Sequence, residues 1–279
     1  LTKLHRIANK IGFPDKPRRY DTLQVKRDSY LSNLAAAASY ETKRDLAKIG
    51  KPLDRSEWLM TAPTVNAYYE PLLNNIVERD LKLRMWAYSR VDTVRPAALE
   101  LFRKAGIGWL ALGIEAGSQL VRKEVSKGSF QEVNIREICK TVRDADINVI
   151  GNYIFGFPDD TLATMQQTLD LALELNTEMA NMYPCQALPG SPIYRQAIRN
   201  GWKLPDSYAG YAFLSYDCEP LATKHASAAE VLRFRDEAFQ TYFTNPDYLA
   251  LVERRFGAPQ RANVEDMTKI RLKRRLLGD

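Results

Sequence analysis

An α/β fold of consecutive βα units is predicted by the sequence, and the spacing of its apolar runs carries the prediction. Such runs begin near residues 83, 109, 147 and 178, and each gives way to a stretch with helical spacing. Strands separated by a helix pair in parallel through a right-handed crossover. Four such units make half of a barrel or part of a doubly wound sheet, and both architectures bind ligands at the carboxyl ends of their strands.

The first two units have clear boundaries in the sequence. Leu83–Tyr88 is the first predicted strand, and Pro96 stands at the first turn of the next helix, where proline is tolerated. Gly106 ends that helix. The second strand, Trp109–Ile114, is an almost unbroken apolar run, which is typical of a strand covered on both faces. A helix over Val133–Val142 follows.

The next two units complete the predicted barrel-type domain. Ile147–Phe155 is the third predicted strand, and a helix over Leu162–Leu175 follows it. Glu178–Tyr183 is a weaker fourth strand, and a short helix over Ile193–Asn200 comes after a proline-rich turn. We place this domain at residues 65–205.

Helical segments are predicted on both sides of this domain. Residues 1–64 have helical spacing interrupted by glycine and proline, and they contain no motif that carries chemistry. The next helix is predicted to have an apolar face made of Tyr68, Leu72, Ile76 and Val77. Residues 206–279 are predicted to form an aromatic loop and a helical appendage, with amphipathic helices over Ala228–Thr244 and Val264–Leu277.

The net charge is mildly basic, with 40 Lys and Arg residues against 34 Asp and Glu residues. Much of the excess lies near the two ends, in Lys16–Arg27 and Lys269–Arg275. Basic helices more often present a solvated face than a nucleic-acid site. We therefore expect a small-molecule substrate, which could be anionic, and no nucleic-acid partner.

The three cysteines, Cys139, Cys185 and Cys218, lie far apart in the sequence. Their spacing argues against a disulfide scaffold and for a reducing compartment. No apolar run approaches the roughly 20 residues of a membrane-spanning helix, and the start has no signal-peptide pattern. The expectation is a cytoplasmic protein without a membrane span. Because the sequence begins with Leu1 rather than Met, we also expect a fragment or a processed form.

Glu115 is the first candidate for a functional side chain. It directly follows the apolar run Trp109–Ile114, and a carboxylate at the end of a buried strand needs a partner because an unpaired buried charge is costly. Gly113 lets a ligand approach the backbone beside it. The alternative is a structural acid that pairs with a neighbouring arginine or caps the next helix.

Other polar residues stand at or near the ends of the predicted strands. Arg90 and Asp92 follow the first strand, where they either contact a substrate or form an ordinary ion pair. Asp160 stands just before a helix, so it or a neighbour caps that helix, and contact with a ligand stays open. Asn152 lies inside an apolar run and Gln186 follows the fourth strand, and both need a reason to be polar. No nucleophile set or metal-ligand spacing accompanies them.

Several of these stretches, in this order and spacing, resemble the radical S-adenosylmethionine (SAM) superfamily. They are Arg90–Asp92, Leu112–Ala116, Ile154–Thr161 and Leu188–Tyr194. Each stretch alone is weakly specific, but together they are fairly specific. The resemblance covers about residues 65–205 and is greatest for the subgroup that often carries a cobalamin-binding domain.

The resemblance implies a partial (β/α)6 barrel that holds SAM and a [4Fe–4S] cluster, with cobalamin as a possible further cofactor. Reductive cleavage of SAM would give a 5′-deoxyadenosyl radical that abstracts hydrogen from a substrate, so that the cofactor does the difficult chemistry. It places Glu115 near the amino-acid or ribose end of SAM and Ile154–Phe157 near the adenine. The residues expected to bind the cofactor are Arg90, Gly113, Glu115, Asn152, Ile154, Gly156 and Gln186. No catalytic side chain or metal ligand is assigned.

One feature of that superfamily has no counterpart in this sequence. The cluster is held by a CxxxCxxC motif, and the three cysteines here are too far apart to imitate it. The leading hypothesis is therefore the SAM-binding part of a radical SAM enzyme, from a fragment or a rearranged gene. The second is a binding or scaffold protein that kept the half-barrel without the chemistry. The third is an unrelated barrel enzyme, such as a lyase or aldolase, with Glu115 and Asp160 as acid and base.

Overall fold

In a computed structural model of the protein, residues 62–118, 121 and 134–279 are described. The chain divides between Leu72 and Leu73, within the first described helix, and the sheet and all later helices belong to the second unit. The helices expected within residues 1–61 lie outside the described residues.

Four parallel strands form one sheet, in which each strand pairs with the strand that follows it in the sequence. The strands are β1 (Met85–Arg90), β2 (Ile107–Glu115), β3 (Asn148–Phe155) and β4 (Met179–Pro184). Right-handed crossovers between strands in sequential order put all connecting helices on the same face. This is the arrangement of a barrel, whereas a doubly wound sheet reverses its strand order. The predicted α/β fold, a partial (β/α) barrel, is confirmed.

Eight α-helices accompany these strands in the described part of the chain. They are α1 (Ala62–Glu78), α2 (Pro96–Ala105), α3 (Ile135–Asp144), α4 (Leu162–Leu175), α5 (Pro192–Asn200), α6 (Ala228–Phe243), α7 (Pro246–Phe256) and α8 (Ala258–Thr268). The bounds of α4 are those predicted. No described helix has both the length and the apolar character needed to cross a membrane.

Local signals in the sequence explain where several of these helices begin and end. Pro96 is at the first position of α2, and Gly106 ends that helix in the left-handed region at a φ of 99°. Thr161 caps α4 by accepting a hydrogen bond from the backbone N–H of Thr164. Ser191 does the same for α5. These residues set the turns that follow the strands.

The main core lies between the helices and one face of the sheet. Side chains alternate between the two faces of a strand, and this face contributes Leu110, Leu112, Ile114, Val149, Tyr153, Phe155, Ala180 and Met182. They pack against residues of α2, α3, α4 and α6. We call the opposite face of the sheet the inner face, because it corresponds to the interior of a barrel.

The predicted helix over Val264–Leu277 was wrong. Helix α8 ends at Thr268, and only a short 3-10 turn forms at Arg275–Leu277. The cause is Arg274, which is fully buried and donates two hydrogen bonds to Asp236 of α6. That contact holds the last residues of the chain against α6. A continuous helix would direct them away from α6.

Two further differences concern helices near the ends of the described residues. Helix α7 was not predicted, although Asn245 caps it and Pro246 occupies its first position. Helix α1 was predicted, but Leu72 and Val77 of its expected apolar face are exposed, whereas Leu73 is buried. The apolar spacing identified the helix but not the face that it buries.

Candidate functional site

A row of residues near the carboxyl ends of the strands brings several predicted site residues together. Arg90 pairs with Gly113, Gly113 with Asn152, and Asn152 with Asn181, so that the row crosses all four strands. Three of these residues were predicted to bind a cofactor. Asn181 was not, although it follows from the alternation of side chains along β4.

The buried amide of Asn152 links three strands. Its Nδ2 donates to the backbone carbonyl of Leu112 at 3.1 Å, and its Oδ1 accepts from Asn181 Nδ2 at 3.0 Å. A polar side chain that is buried must find such partners. These bonds explain why a polar residue lies inside an apolar strand, and they fix the geometry of the row.

Glu115 occupies an irregular position at the end of β2. The register between β2 and β3 shifts between Gly113 and Glu115, and Glu115 has a φ of 66°. A bulge of this kind redirects a side chain, and a non-glycine residue in the left-handed region costs roughly 1–3 kcal/mol. Such strain is concentrated at functional sites. The backbone thus holds the carboxylate at the edge of the sheet where ligands bind.

The carboxylate of Glu115 folds back over Gly113. A Cβ atom at residue 113 would lie 2.6 Å from Glu115 Oε1, so the missing side chain of the glycine makes room for the carboxylate. Burial raises the pKa of Glu115, and the positive charge of Arg90 partly opposes this shift. No described residue donates a hydrogen bond to this carboxylate. Glu115 is therefore a partly buried acid that can still accept from a ligand.

Arg90 and Asp92 form an ion pair. Arg90 Nε and Nη2 donate to the two oxygens of Asp92 at 2.9 and 2.8 Å. The ion pair considered for these residues is therefore present, and contact of Arg90 with a ligand stays a prediction. The guanidinium remains close enough to Glu115 to influence its pKa.

Asp160 belongs to the β3–α4 loop rather than to an open site. Its carboxylate accepts hydrogen bonds from the backbone N–H groups of Gly156 and Phe157 at 3.0 and 2.9 Å and from Thr164 Oγ1 at 2.6 Å. Only 1% of the residue is exposed. Asp160 is sealed and cannot act as the acid or base of a lyase, which removes the main support for that hypothesis.

Gly156 and Gln186 also have structural roles within the protein. Gly156 has a φ of 89°, and a Cβ atom there would lie 2.4 Å from Val231 Cγ1 of α6. Glycine is therefore required by the backbone and by the packing of α6, and the expected approach of a ligand is not needed to explain it. Gln186 Nε2 donates to the backbone carbonyl of Gly210 at 3.0 Å and so holds the aromatic loop in place.

A cavity of about 820 Å³ opens beyond the carboxyl ends of β3 and β4. This volume is within the range of small-molecule sites. Its lining includes Ile154, Pro158, Tyr183, Gln186, Tyr211 and Phe213. Ile154 and Gln186 were predicted site residues, whereas Tyr211 and Phe213 were predicted only as part of the aromatic loop.

Tyr183 connects this cavity with Glu115. It follows Asn181 on the inner face of β4, so the alternation along the strand could have identified it. Burial raises the pKa of Tyr183, and the nearby phenol of Tyr88 and carboxylate of Glu115 contribute to this shift. A ligand on the inner face would lie between an acid and two phenols.

The described residues do not supply ligands for a [4Fe–4S] cluster. Among them, no three His, Cys, Asp or Glu side chains are grouped closely enough to hold a metal ion. Cys139, Cys185 and Cys218 are buried and unpaired, and burial raises the pKa of the Cys185 thiol to about 12. A sealed thiol of this kind is a poor metal ligand, so the cluster does not fit this part of the chain.

Residues 41–172 match the family model of the Radical SAM superfamily. An uncharacterized methyltransferase of Pyrococcus horikoshii is 23% identical over 174 residues, which are 62% of this chain and 37% of that protein. The solved structure of TsrM from Kitasatospora setae, a radical SAM methyltransferase with cobalamin and a [4Fe–4S] cluster bound, is similar with a TM-score of 0.43. Its identity is 18%, over 60% of this chain and 35% of TsrM.

A relative of a different kind is the endothelin-converting enzyme homolog of Locusta migratoria. It is 39% identical over 82 residues, which are 27% of this chain and 11% of that protein. The chain therefore spans about a third of the methyltransferase and about a tenth of the second relative. The match over residues 41–172 agrees with the motifs and with the strand order of the sheet. By this match, the chain carries a domain of the radical SAM superfamily.

Proposed function

We propose that the chain is the SAM-binding part of a radical SAM enzyme. The observation that carries the proposal is Glu115, a partly buried acid held by a bulge beside Gly113 at the carboxyl edge of the sheet. When SAM is bound at a reduced cluster, it supplies the radical chemistry that abstracts hydrogen from a substrate. The substrate is proposed to be a small molecule, and its identity is open.

The proposed role of this chain is to bind and orient SAM. The Glu115 carboxylate would accept hydrogen bonds from the ammonium or the ribose hydroxyls, since it has unused acceptor capacity. Gly113 would keep the space beside it free, and Arg90 would balance its charge. Ile154 lines the cavity beyond β3 and β4, where an adenine ring would pack against apolar side chains. Asn152 would act indirectly, by holding the strands that carry these groups.

The cluster and any cobalamin belong, in this proposal, to the parent enzyme outside the described residues. The three buried free cysteines support the expected reducing, cytoplasmic location. The second candidate function is a binding protein without redox chemistry. It is favoured by the lack of cluster ligands among the described residues. Iron and sulfide analysis of the intact parent protein separates the two, because only the radical enzyme requires a bound [4Fe–4S] cluster there.

The match to the endothelin-converting enzyme homolog supports a mixed origin of the sequence. A native transcript with an in-frame CxxxCxxC motif would support the radical enzyme. A native transcript identical to this sequence would favour the binding protein.

Replacement of Glu115 with glutamine is expected to weaken SAM binding about tenfold or more, since a hydrogen bond to a charged group contributes about 1.5–3 kcal/mol. Titration calorimetry with SAM measures this. In the unaltered protein, affinity should also fall as the pH is lowered through the raised pKa of Glu115, because protonation removes the charge that a cationic ligand needs. The glutamine variant should lack this pH dependence. An unchanged dissociation constant in the variant would show that the site is assigned wrongly.

Replacement of Gly113 with alanine is expected to weaken SAM binding by displacing the Glu115 carboxylate. The added Cβ atom meets Oε1 at 2.6 Å, which no relaxed contact permits. Gly108→Ala is a matched control in the same strand, because no atom lies within 4 Å of its added Cβ. Both variants should fold, and only Gly113→Ala should lose affinity in calorimetry. Equal affinities for the two variants would contradict the placement of the ligand at Glu115.

A further inference from the structure

Two further cavities adjoin each other along β4, and the first of them shares Phe213 with the cavity described above. Cavity A, of about 500 Å³, lies between β4 and helices α6, α7 and α8. Cavity B, of about 440 Å³, lies between α6 and the C-terminal segment. They share Leu214, Arg235, Phe239 and Met267, so they adjoin at Arg235. Together they form one groove, which we call the β4 groove.

Among the described residues that line the β4 groove, Arg235 is the only basic residue that is buried. It is 3% exposed, and its guanidinium carbon lies 5.5 Å from the ring centre of Phe213 and 5.4 Å from that of Phe239. Nε donates to the carbonyl of Met182 at 2.7 Å, and Nη1 donates to Asp236 at 2.7 Å. Nη2 donates no hydrogen bond to any described residue.

The charges around Arg235 do not balance. Asp236 also accepts two hydrogen bonds from Arg274, which is fully buried, so one carboxylate serves two buried guanidinium groups. Burial lowers the pKa of Arg235, and Asp236 only partly opposes this shift. A buried charge without a full counter-charge is costly. An anion in the groove would supply the missing charge.

The remaining charged groups of the lining do not supply it. In cavity A, both oxygens of Glu178 are occupied, by Arg143 Nε and by the backbone N–H of Val149, each at 2.9 Å. In cavity B, Arg233 and Arg271 add positive charge and Glu237 is exposed. The groove is therefore apolar in cavity A and positively charged toward cavity B.

We propose that the β4 groove binds an organic acid with an apolar body, whose carboxylate pairs with Arg235. The apolar body would lie in cavity A among side chains such as Met179, Phe243 and Val264. An apolar pocket with a few converging polar groups is the usual form of a small-molecule site. Arginine binds a carboxylate through its planar N–H groups, and Nη2 is available for this bond. Use of this acid as the substrate of radical chemistry rests on the proposed function, but its binding does not.

Binding of 4-phenylbutyrate and of its neutral amide, followed by ligand-observed NMR, tests the proposal. The unaltered protein should bind the acid about tenfold more tightly than the amide, which corresponds to one charge-assisted hydrogen bond of about 1.4 kcal/mol. Equal binding of the two compounds, or binding of neither at millimolar concentration, would overturn the proposal.

Two variants locate the binding in the groove. Arg235→Met should bind the acid and the amide equally, because it keeps the apolar volume and removes the charge. Leu214→Trp should reduce the binding of both compounds, since this half-exposed residue lines both cavities and can be enlarged without a change in the core. Unchanged binding in Leu214→Trp would overturn the proposal even if Arg235→Met does not fold. Addition of SAM should not displace the acid, so that a failure of the SAM proposal can be recognised separately.

Discussion

Replacement of Asp236 with alanine is expected to destabilise the protein by about 3–5 kcal/mol, the range for breaking a buried ion pair by removal of one partner. Asp236 accepts hydrogen bonds from Arg274 Nε and Nη2 at 2.8 and 2.9 Å and from Arg235 Nη1 at 2.7 Å. Its removal leaves two buried guanidinium groups facing each other without a carboxylate. The loss should therefore exceed that of an ordinary surface ion pair.

The C-terminal segment should be released by this change. Arg274 Nη1 donates to the carbonyl of Ser215, and its backbone N–H donates to the side chain of Asp279. These bonds fix the residues after α8 only while Arg274 remains in place. Limited proteolysis should therefore cut the segment after Thr268 in the alanine variant before the rest of the domain unfolds.

Urea unfolding with a matched control measures the effect of the Asp236 substitution. Asp144→Ala removes an exposed ion pair with Lys140 and should cost less than about 1 kcal/mol. The midpoint should fall far more for Asp236→Ala than for Asp144→Ala. Similar midpoints for the two variants would mean that the buried cluster contributes little to stability.

The sheet could be predicted from the sequence because its signals are local. Apolar runs, Pro96 and Gly106 mark strands and helices within a few residues of their observed ends. The C-terminal segment could not be predicted in this way. Arg274 has no local signal, and its position depends on Asp236, which is 38 residues away in the sequence.

The candidate site was predictable in part for the same reason. Glu115 and Gly113 stand at the end of a recognisable strand, and parallel strands end at one edge. The bulge that turns Glu115 back over Gly113 depends on the pairing with β3 and has no signature in the sequence. Asp160 also follows the end of a strand, but its carboxylate accepts hydrogen bonds from its own loop. Position after a strand therefore does not tell whether an acid faces a ligand or stabilises a loop.

Replacement of Asp160 with alanine is expected to cost about 2–4 kcal/mol, because it leaves the buried backbone N–H groups of Gly156 and Phe157 without their acceptor. Asparagine should cost less than about 1 kcal/mol. One oxygen, Oδ2, accepts both of these bonds, and an asparagine oxygen can take its place. The amide can then donate to Thr164 Oγ1, whose proton can turn to the carbonyl of Thr161 at 3.1 Å.

The pH dependence of unfolding gives a second test of the same carboxylate. Burial raises the pKa of Asp160 above its ordinary value of 3.8, against the opposing effect of its hydrogen bonds. The folded state therefore binds a proton more tightly than the unfolded state does, so the contribution of Asp160 to stability falls as the pH rises through this window. Asp160→Asn should remove that contribution and flatten the profile above pH 3.8. A pH profile identical to that of the unaltered protein, or an asparagine variant as unstable as the alanine variant, would contradict this account of the loop.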